Sequence, residues 1–277
     1  MKLTGSNNRY KNSSFRGGGL IIVKIGGNII DDEVKLSSFL KDFASIRGKK
    51  ILVHGGGKLA TKLAGDLDIP QKMIEGRRIT DGETLKIVTM VYAGYINKNI
   101  VAQLQANGCD AIGLTGADGN LIRAHKRAHP TTDYGFAGDI DEIGIALIKN
   151  LLNRQMTIVI APITHDKNGQ LLNTNADTIA QEIARSLSPE YAVNLIYSFE
   201  KSGVLLNADD ESTVIPSIRP DYYEQLKAEK KIFAGMIPKI DNAFAALRSG
   251  VQQVTIGKAE ELQKLIQHTA GTRITNE

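Results

Sequence analysis

The chain of 277 residues has one cysteine, no tryptophan and only 5% aromatic residues. With Cys109 alone, neither an intrachain disulfide nor a multi-cysteine metal site can form, so the core itself must hold the fold. No run of about 18 apolar residues occurs, which argues against a membrane-spanning helix. Nor does the opening stretch, Met1 to Gly19, place a basic cap before an apolar segment; it is polar and Gly-rich, and a cytoplasmic protein with no membrane partner is expected. Charge of one sign is also scarce, because 34 Lys and Arg against 30 Asp and Glu leave a formal net charge of only +4. The densest basic run, Arg123, His125, Lys126, Arg127 and His129, has no interleaved aromatic residue and no accompanying recognition module. It reads as a solvated loop, and nucleic acid is not an expected partner.

What is present is enough apolar sequence, 42% of residues, to bury one substantial core as a single large domain or two lobes. Short branched apolar runs at Leu20–Ile25, Ile51–Val53, Thr157–Ile160, Ala192–Tyr197 and Val254–Ile256 alternate with longer segments of helical period. That alternation predicts an α/β fold with an open, mostly parallel sheet sandwiched between helices. A long helix is predicted from Thr80, at capping-box spacing from Glu83, to Gly108, with Leu85, Val88, Val91, Ile96, Ile100 and Leu104 on its apolar face. Another is bracketed by Pro238 and Gly250, with Ile240, Ala243, Phe244 and Leu247 as its buried stripe. Asn168-Gly169 marks a tight hairpin that delivers the chain into Asn173-Thr174-Asn175-Ala176-Asp177 and then a helix over 178–187. No repeat or low-complexity linker divides the chain, although Ser-Pro-Glu near 186–190, between a helix and a new strand, suits a functional boundary.

Two glycine loops follow the first two strands: Lys24-Ile25-Gly26-Gly27-Asn28 and His54-Gly55-Gly56-Gly57. Loops at the carboxyl edge of a parallel sheet face the region where such folds bind ligands, and glycines let backbone N–H groups approach a phosphate. Lysine before two glycines also occurs in ordinary turns, and neither loop has P-loop or dinucleotide-fold spacing. Asn175 reads as a helix N-cap with Asp177 in the first turn, where complementing the helix dipole is a sufficient account of the carboxylate. Lys239 stands at the start of its helix, where the dipole repels a cation; either full solvation or an anionic ligand accommodates it. His54 has no nucleophile pattern around it and reads as a residue that shapes the turn.

Taken in order, Lys24-Ile-Gly-Gly-Asn28, Val53-His-Gly-Gly-Gly57, Gly76-Arg-Arg-Ile-Thr80, Asn173-Thr-Asn-Ala-Asp177 and Gly235-Met-Ile-Pro-Lys239 resemble the motif series of the amino acid kinase family. The resemblance runs from about Leu20 to Gly271-Thr272-Arg273-Ile274 and is greatest to members that act on an N-acylated glutamate. It implies ATP-dependent phosphorylation of the γ-carboxylate of N-acetyl-L-glutamate in arginine biosynthesis. It also implies a polar extension over 1–19, a lobe over 20–187 for the acylated amino acid and dimerisation, and a lobe over 188–277 for ATP. By the same resemblance Lys24 and Lys239 hold the transferred phosphoryl group and Asp177 fixes both lysines. Gly26, Gly27, Gly56 and Gly57 serve the phosphates and substrate, and Arg78 and Asn173 grip the main-chain carboxylate or acyl amide. Mg²⁺ would sit mainly on ATP and water.

A glutamate γ-carboxylate, with an ordinary pKa of about 4.3, is already ionised at neutral pH and needs no general base, which suits a site without a catalytic histidine. Two departures from the family pattern stand out. Ser198-Phe199-Glu200-Lys201-Ser202-Gly203-Val204 lacks the usual aspartate in the nucleotide lobe, and Arg77 precedes the substrate arginine where an uncharged residue is usual. Arg77 in solvent is the simpler reading; a contact to an N-succinyl carboxylate is the alternative. Other rivals are kinases of N-acetylaminoadipate, aspartate or uridine monophosphate, and a non-catalytic sensor. A homodimer is expected from the apolar surface of the long helix and from the way relatives associate, and without a helical period in 1–19 arginine inhibition and a hexamer are not expected.

Overall fold

The computed structural model describes residues 17–74, 77–232 and 236–276. Residues 1–16, and with them most of the polar extension, lie outside that set, as do Gly76 and Gly235 of the two family motifs. The five apolar runs all become strands of one eight-stranded sheet. Its order is Ser217–Ile218, Thr272–Ile274, Gln253–Lys258, Ala192–Phe199, Gly19–Ile25, Lys49–His54, Thr157–Ile160 and Ala111–Leu114. Every pairing is parallel except that of Gln253–Lys258 with Thr272–Ile274. Because Gly19–Ile25 pairs with Ala192–Phe199 on one side and Lys49–His54 on the other, the sheet runs unbroken across residues 187 and 188.

Both faces are buried, as parallel strands with near-continuous apolar sequence require. Leu20 and Ile22 point into a core with helices Ala176–Leu187 and Ile237–Arg248, while Val23 and Ile25 point to the opposite core under helix Glu33–Ser45. Ile240, Ala243, Phe244 and Leu247 of the Ile237–Arg248 helix are buried, the stripe its spacing predicts. Asn168-Gly169 forms its hairpin, but as a five-residue turn: the Asp166 carboxylate accepts the N–H groups of Asn168 and Gln170, and Gly169 takes a left-handed φ of 90°. Among the described residues no helix is long and apolar enough to cross a membrane.

Two sequence expectations need correction. The helix after Thr80 is capped by Asp81, whose side chain accepts from Thr84 N at 2.8 Å, whereas Thr80 is drawn into a bridge with Gly135. It is also not uniform: α-helix over Gly82–Val88 widens to π-helix over Thr89–Ile96 and returns to α-helix over Asn97–Ala106. The basic run is a loop only from Arg127 onward. Ile122–Lys126 is a strand paired antiparallel with Gly138–Ile143, and its cations meet carboxylates from that strand and its approach: Arg123 with Glu142, His125 with Asp141, Lys126 with Asp133, and Arg127 with Asp139. A local run of positive charge was visible in sequence; its long-range counter-ions were not.

Candidate active site

A cavity of about 240 Å³ opens at the carboxyl edge of the sheet, beyond strands Gly19–Ile25 and Lys49–His54. Lys24 reaches its floor from the penultimate position of the first of these strands. Asp177 arrives from the first turn of the Ala176–Leu187 helix, which Asn175 caps by accepting the N–H groups of Asp177 and Thr178 at 2.8 and 3.1 Å. Lys239 comes from the first turn of Ile237–Arg248. One carboxylate therefore meets two ammonium groups: Lys24 Nζ lies 2.7 Å from Asp177 Oδ1, and Lys239 Nζ lies 3.0 Å from Asp177 Oδ2. Burial pushes the Asp177 carboxyl up, but the ammonium groups of Lys24 and Lys239 outweigh it and hold the pKa at about 2. The helix-dipole account of Asp177 is thus incomplete, because its carboxylate binds across three elements. The trio keeps a net positive charge, and its Lys24 and Asp177 line the cavity.

The glycines divide in their roles. Gly56 is held at φ 145° as the residue before helix Gly57–Asp66, and a Cβ there would stand 2.3 Å from Ile96 Cδ1, so only glycine fits. Gly27, Gly55, Gly56 and Gly57 line the cavity. Gly26 differs from expectation: its N–H donates to Ser198 O at 3.0 Å, continuing the sheet, and is not free for a phosphate. His54 is fully buried beneath the second loop. Its Nδ1–H donates to Gly55 O at 2.8 Å and its Nε2 accepts from Asn97 Nδ2 at 3.2 Å, while burial lowers its pKa to about 4. It is a neutral turn-shaping residue, as its sequence context suggests. Asn97, at the return from π- to α-helix, is a partner that sequence reading did not find; no local signal marks it.

At the other end of the cavity Arg78 is buried in strand Arg77–Ile79, opposite Met73 of Lys72–Ile74. Its guanidinium donates to Gly57 O and Thr61 Oγ1, both at 2.9 Å, and to Gln71 Oε1. All three acceptors are neutral, so the group is positioned without losing its charge to a protein carboxylate. Asn173 donates from Nδ2 to Thr80 Oγ1 at 3.0 Å. The segment 134–138 laces these pieces together: Tyr134 O accepts from Thr80 N, Phe136 O from Asn173 N, and Ala137 O from Arg127 N. Arg127 is brought into the cavity wall by this lacing, with Arg77 and Tyr92 also on the wall.

Residues 19–258 match the model of the amino acid kinase family. An acetylglutamate kinase of Cytophaga hutchinsonii is 55% identical to this chain over 258 residues, covering 92% of this chain and 98% of the relative. An acetylglutamate kinase of Bacteroides thetaiotaomicron is 51% identical over 255 residues, with the same coverage of 92% and 98%. In three dimensions the chain is similar to a carbamate kinase from Giardia lamblia bound to AMP-PNP, with a TM-score of 0.70 over 95% of this chain and 100% of that one. At 12% identity that likeness is one of fold alone.

Proposed function

The chain belongs to the amino acid kinase family, and from that premise we propose that it phosphorylates the γ-carboxylate of N-acetyl-L-glutamate with ATP, a step of arginine biosynthesis. The observation that carries this reading is the Lys24–Asp177–Lys239 trio, whose Lys24 and Asp177 line the same cavity as Arg78 and Asn173. In the proposed step Arg78 grips the α-carboxylate and Asn173 the acyl amide, which points the γ-carboxylate at the lysines. A carboxylate oxygen forms the new bond to the γ-phosphorus as the bond to the β,γ-bridging oxygen breaks, and ADP leaves with that electron pair. No proton has to move, because the nucleophile is already an anion. The difficulty is the approach of two anions, and Lys24 and Lys239 answer it by holding positive charge where negative charge accumulates on the transferred group. Asp177 keeps both ammonium groups in place. Gly27 and the Gly55–Gly57 loop let backbone come close to the phosphates.

Mg²⁺ enters this reading as part of the MgATP substrate. Asp177 is taken by two lysines, and no group of three or more His, Cys, Asp or Glu side chains gathers as a metal site among the described residues. The ion would be held mainly by phosphate oxygens and water. Residues 20–187 supply the acyl-glutamate side and residues 188–277 the nucleotide side in this proposal, which sets the cytoplasm, where ATP is made available, as the place of work.

Incubation with MgATP, N-acetyl-L-glutamate and hydroxylamine tests the reaction, since an acyl phosphate is trapped as a coloured hydroxamate; no hydroxamate from a folded protein would refute it. The chain is further proposed to work as a homodimer. Met90 and Tyr95 stand 54% and 62% exposed on the long helix, an apolar surface that a second copy would cover. Light scattering should give a dimer, with no inhibition by arginine; a hexamer or strong arginine inhibition overturns that expectation.

A further inference from the structure

Resting on the acyl-glutamate kinase reading, we propose that Arg127, assisted by Arg77, forms a second carboxylate subsite in the same cavity, which an acetyl group leaves unfilled and an acyl group ending in a carboxylate, such as N-succinyl, would fill. The cavity is lined by four cations, Lys24, Arg77, Arg78 and Arg127, but by only one carboxylate, Asp177. Asp177 is already held between Lys24 and Lys239. N-acetylglutamate brings two carboxylates, one for the lysines and one for Arg78. Arg127 and Arg77 are left with Asp139 as their one counter-ion, since Arg77 forms no ion pair with a described residue. Like charges gathered in a partly enclosed space repel, and an anion there relieves the repulsion.

Position points the same way. Arg127 N donates to Ala137 O at 2.8 Å, and Asn173 N donates to Phe136 O at 2.9 Å, so Arg127 and Asn173 are tied to adjacent residues of one segment. The acyl group hangs from the amino acid's α-nitrogen, beside the carboxylate given to Arg78 and at the amide given to Asn173. Followed away from Asn173 along that segment, a short arm meets Ala137 and Gly138, two residues too small to close the cavity, and then Arg127. The Arg127 side chain is only 12% exposed and sits over the Tyr134 ring at 5.8 Å. Asp139 takes its Nε edge at 3.0 and 3.1 Å and also meets Nη2. Nη1 is thereby left to donate a charge-assisted bond from a guanidinium that is already fixed. Arg77, exposed at the cavity rim, adds attraction without the same immobilisation.

The test compares N-acetyl-, N-butyryl- and N-succinyl-L-glutamate in the hydroxamate assay and by calorimetric titration; butyryl has the carbon count of succinyl without its charge. The wild-type protein should bind succinyl- at least about tenfold more tightly than butyrylglutamate and use it with a correspondingly higher kcat/KM. Arg127→Gln should lower the succinyl-to-butyryl ratio about tenfold and Arg77→Gln about threefold. The ratio within one variant cancels any general loss of active protein. If Arg127→Gln does not fold, Arg127→Lys keeps a cation for Asp139 but loses the fork, and should still lower the ratio severalfold. Equal handling of succinyl and butyryl by wild type, or a ratio untouched by the Arg127 variants, overturns the subsite. Turnover of acetylglutamate with no such discrimination leaves the kinase reading standing alone. Tighter binding of succinylglutamate with no turnover of any of the three would support the subsite and sink the kinase reading.

Discussion

The two ends of the cavity hold their cations by different means. At the proposed phosphoryl end two lysines share one buried carboxylate, so each ammonium is fixed by charge and the trio keeps a net positive charge. At the proposed acyl end Arg78 is fixed by three neutral oxygens, with no protein carboxylate among them to take its charge. A shared counter-ion suits charge that appears only during transfer; neutral supports suit a carboxylate present throughout. The first end should therefore be read in kcat and the second in KM.

Breaking the phosphoryl end gives the largest expected effect. Lys239→Ala should lower kcat about 10³-fold or more while the melting temperature stays close to wild type, because the side chain acts on developing charge and is partly exposed. A near-normal kcat would remove Lys239 from the clamp and collapse the contrast. At the acyl end Arg78→Ala should lower kcat/KM roughly 10²-fold, most of it as a raised KM, since the lost contact is made in ground and transition states alike. Steady-state kinetics showing a kcat loss with unchanged KM would mean that the two ends do not divide the work in this way.

Acid should sharpen the comparison with a smaller effect, because the glycine loop between the ends rests on a neutral histidine. His54 has a folded pKa of about 4, below its ordinary 6.5, so only the unfolded chain gains a proton as pH first falls. The resulting loss of stability begins below pH 6.5, is complete near pH 4, and amounts to on the order of 3 kcal/mol. Asp177 also has a depressed folded pKa, from 3.8 to about 2, so its contribution is intact above pH 3.8 and is lost only towards pH 2. Denaturant unfolding at pH 7.5, 5.5 and 4.5 should show the decline, and His54→Gln should flatten it. An unchanged slope in that variant would shift the acid sensitivity to other groups.

How much of this was legible in the sequence varied with the range of the interaction. Branched apolar runs, the Asn175 cap and the stripe on the Ile237–Arg248 helix are local patterns, and each became the element it implied. The order of motifs carried the family, and it singled out the two glycine loops and the two lysines that Asp177 joins. The widening to π-helix at Thr89–Ile96 left no periodic signature, because the segment is apolar on nearly every side and carries no stripe of its own. It nevertheless sets Tyr92 and Ile96 against Gly56 and Asn97 against His54.

By itself, then, the sequence determined where strands and helices form and which glycines, lysines and carboxylates stand at their ends, since backbone sterics and periodic burial act within a few residues. Only the tertiary structure decided that Asp177 bridges Lys24 and Lys239, that Gly26 N–H is taken by Ser198, and that Arg127 leaves an apparent surface run to line the cavity with Arg78. Each of those depends on partners between 12 and 172 residues away in the chain or on a shared cavity wall. Charge acts through space, and only the packed sheet sets those distances.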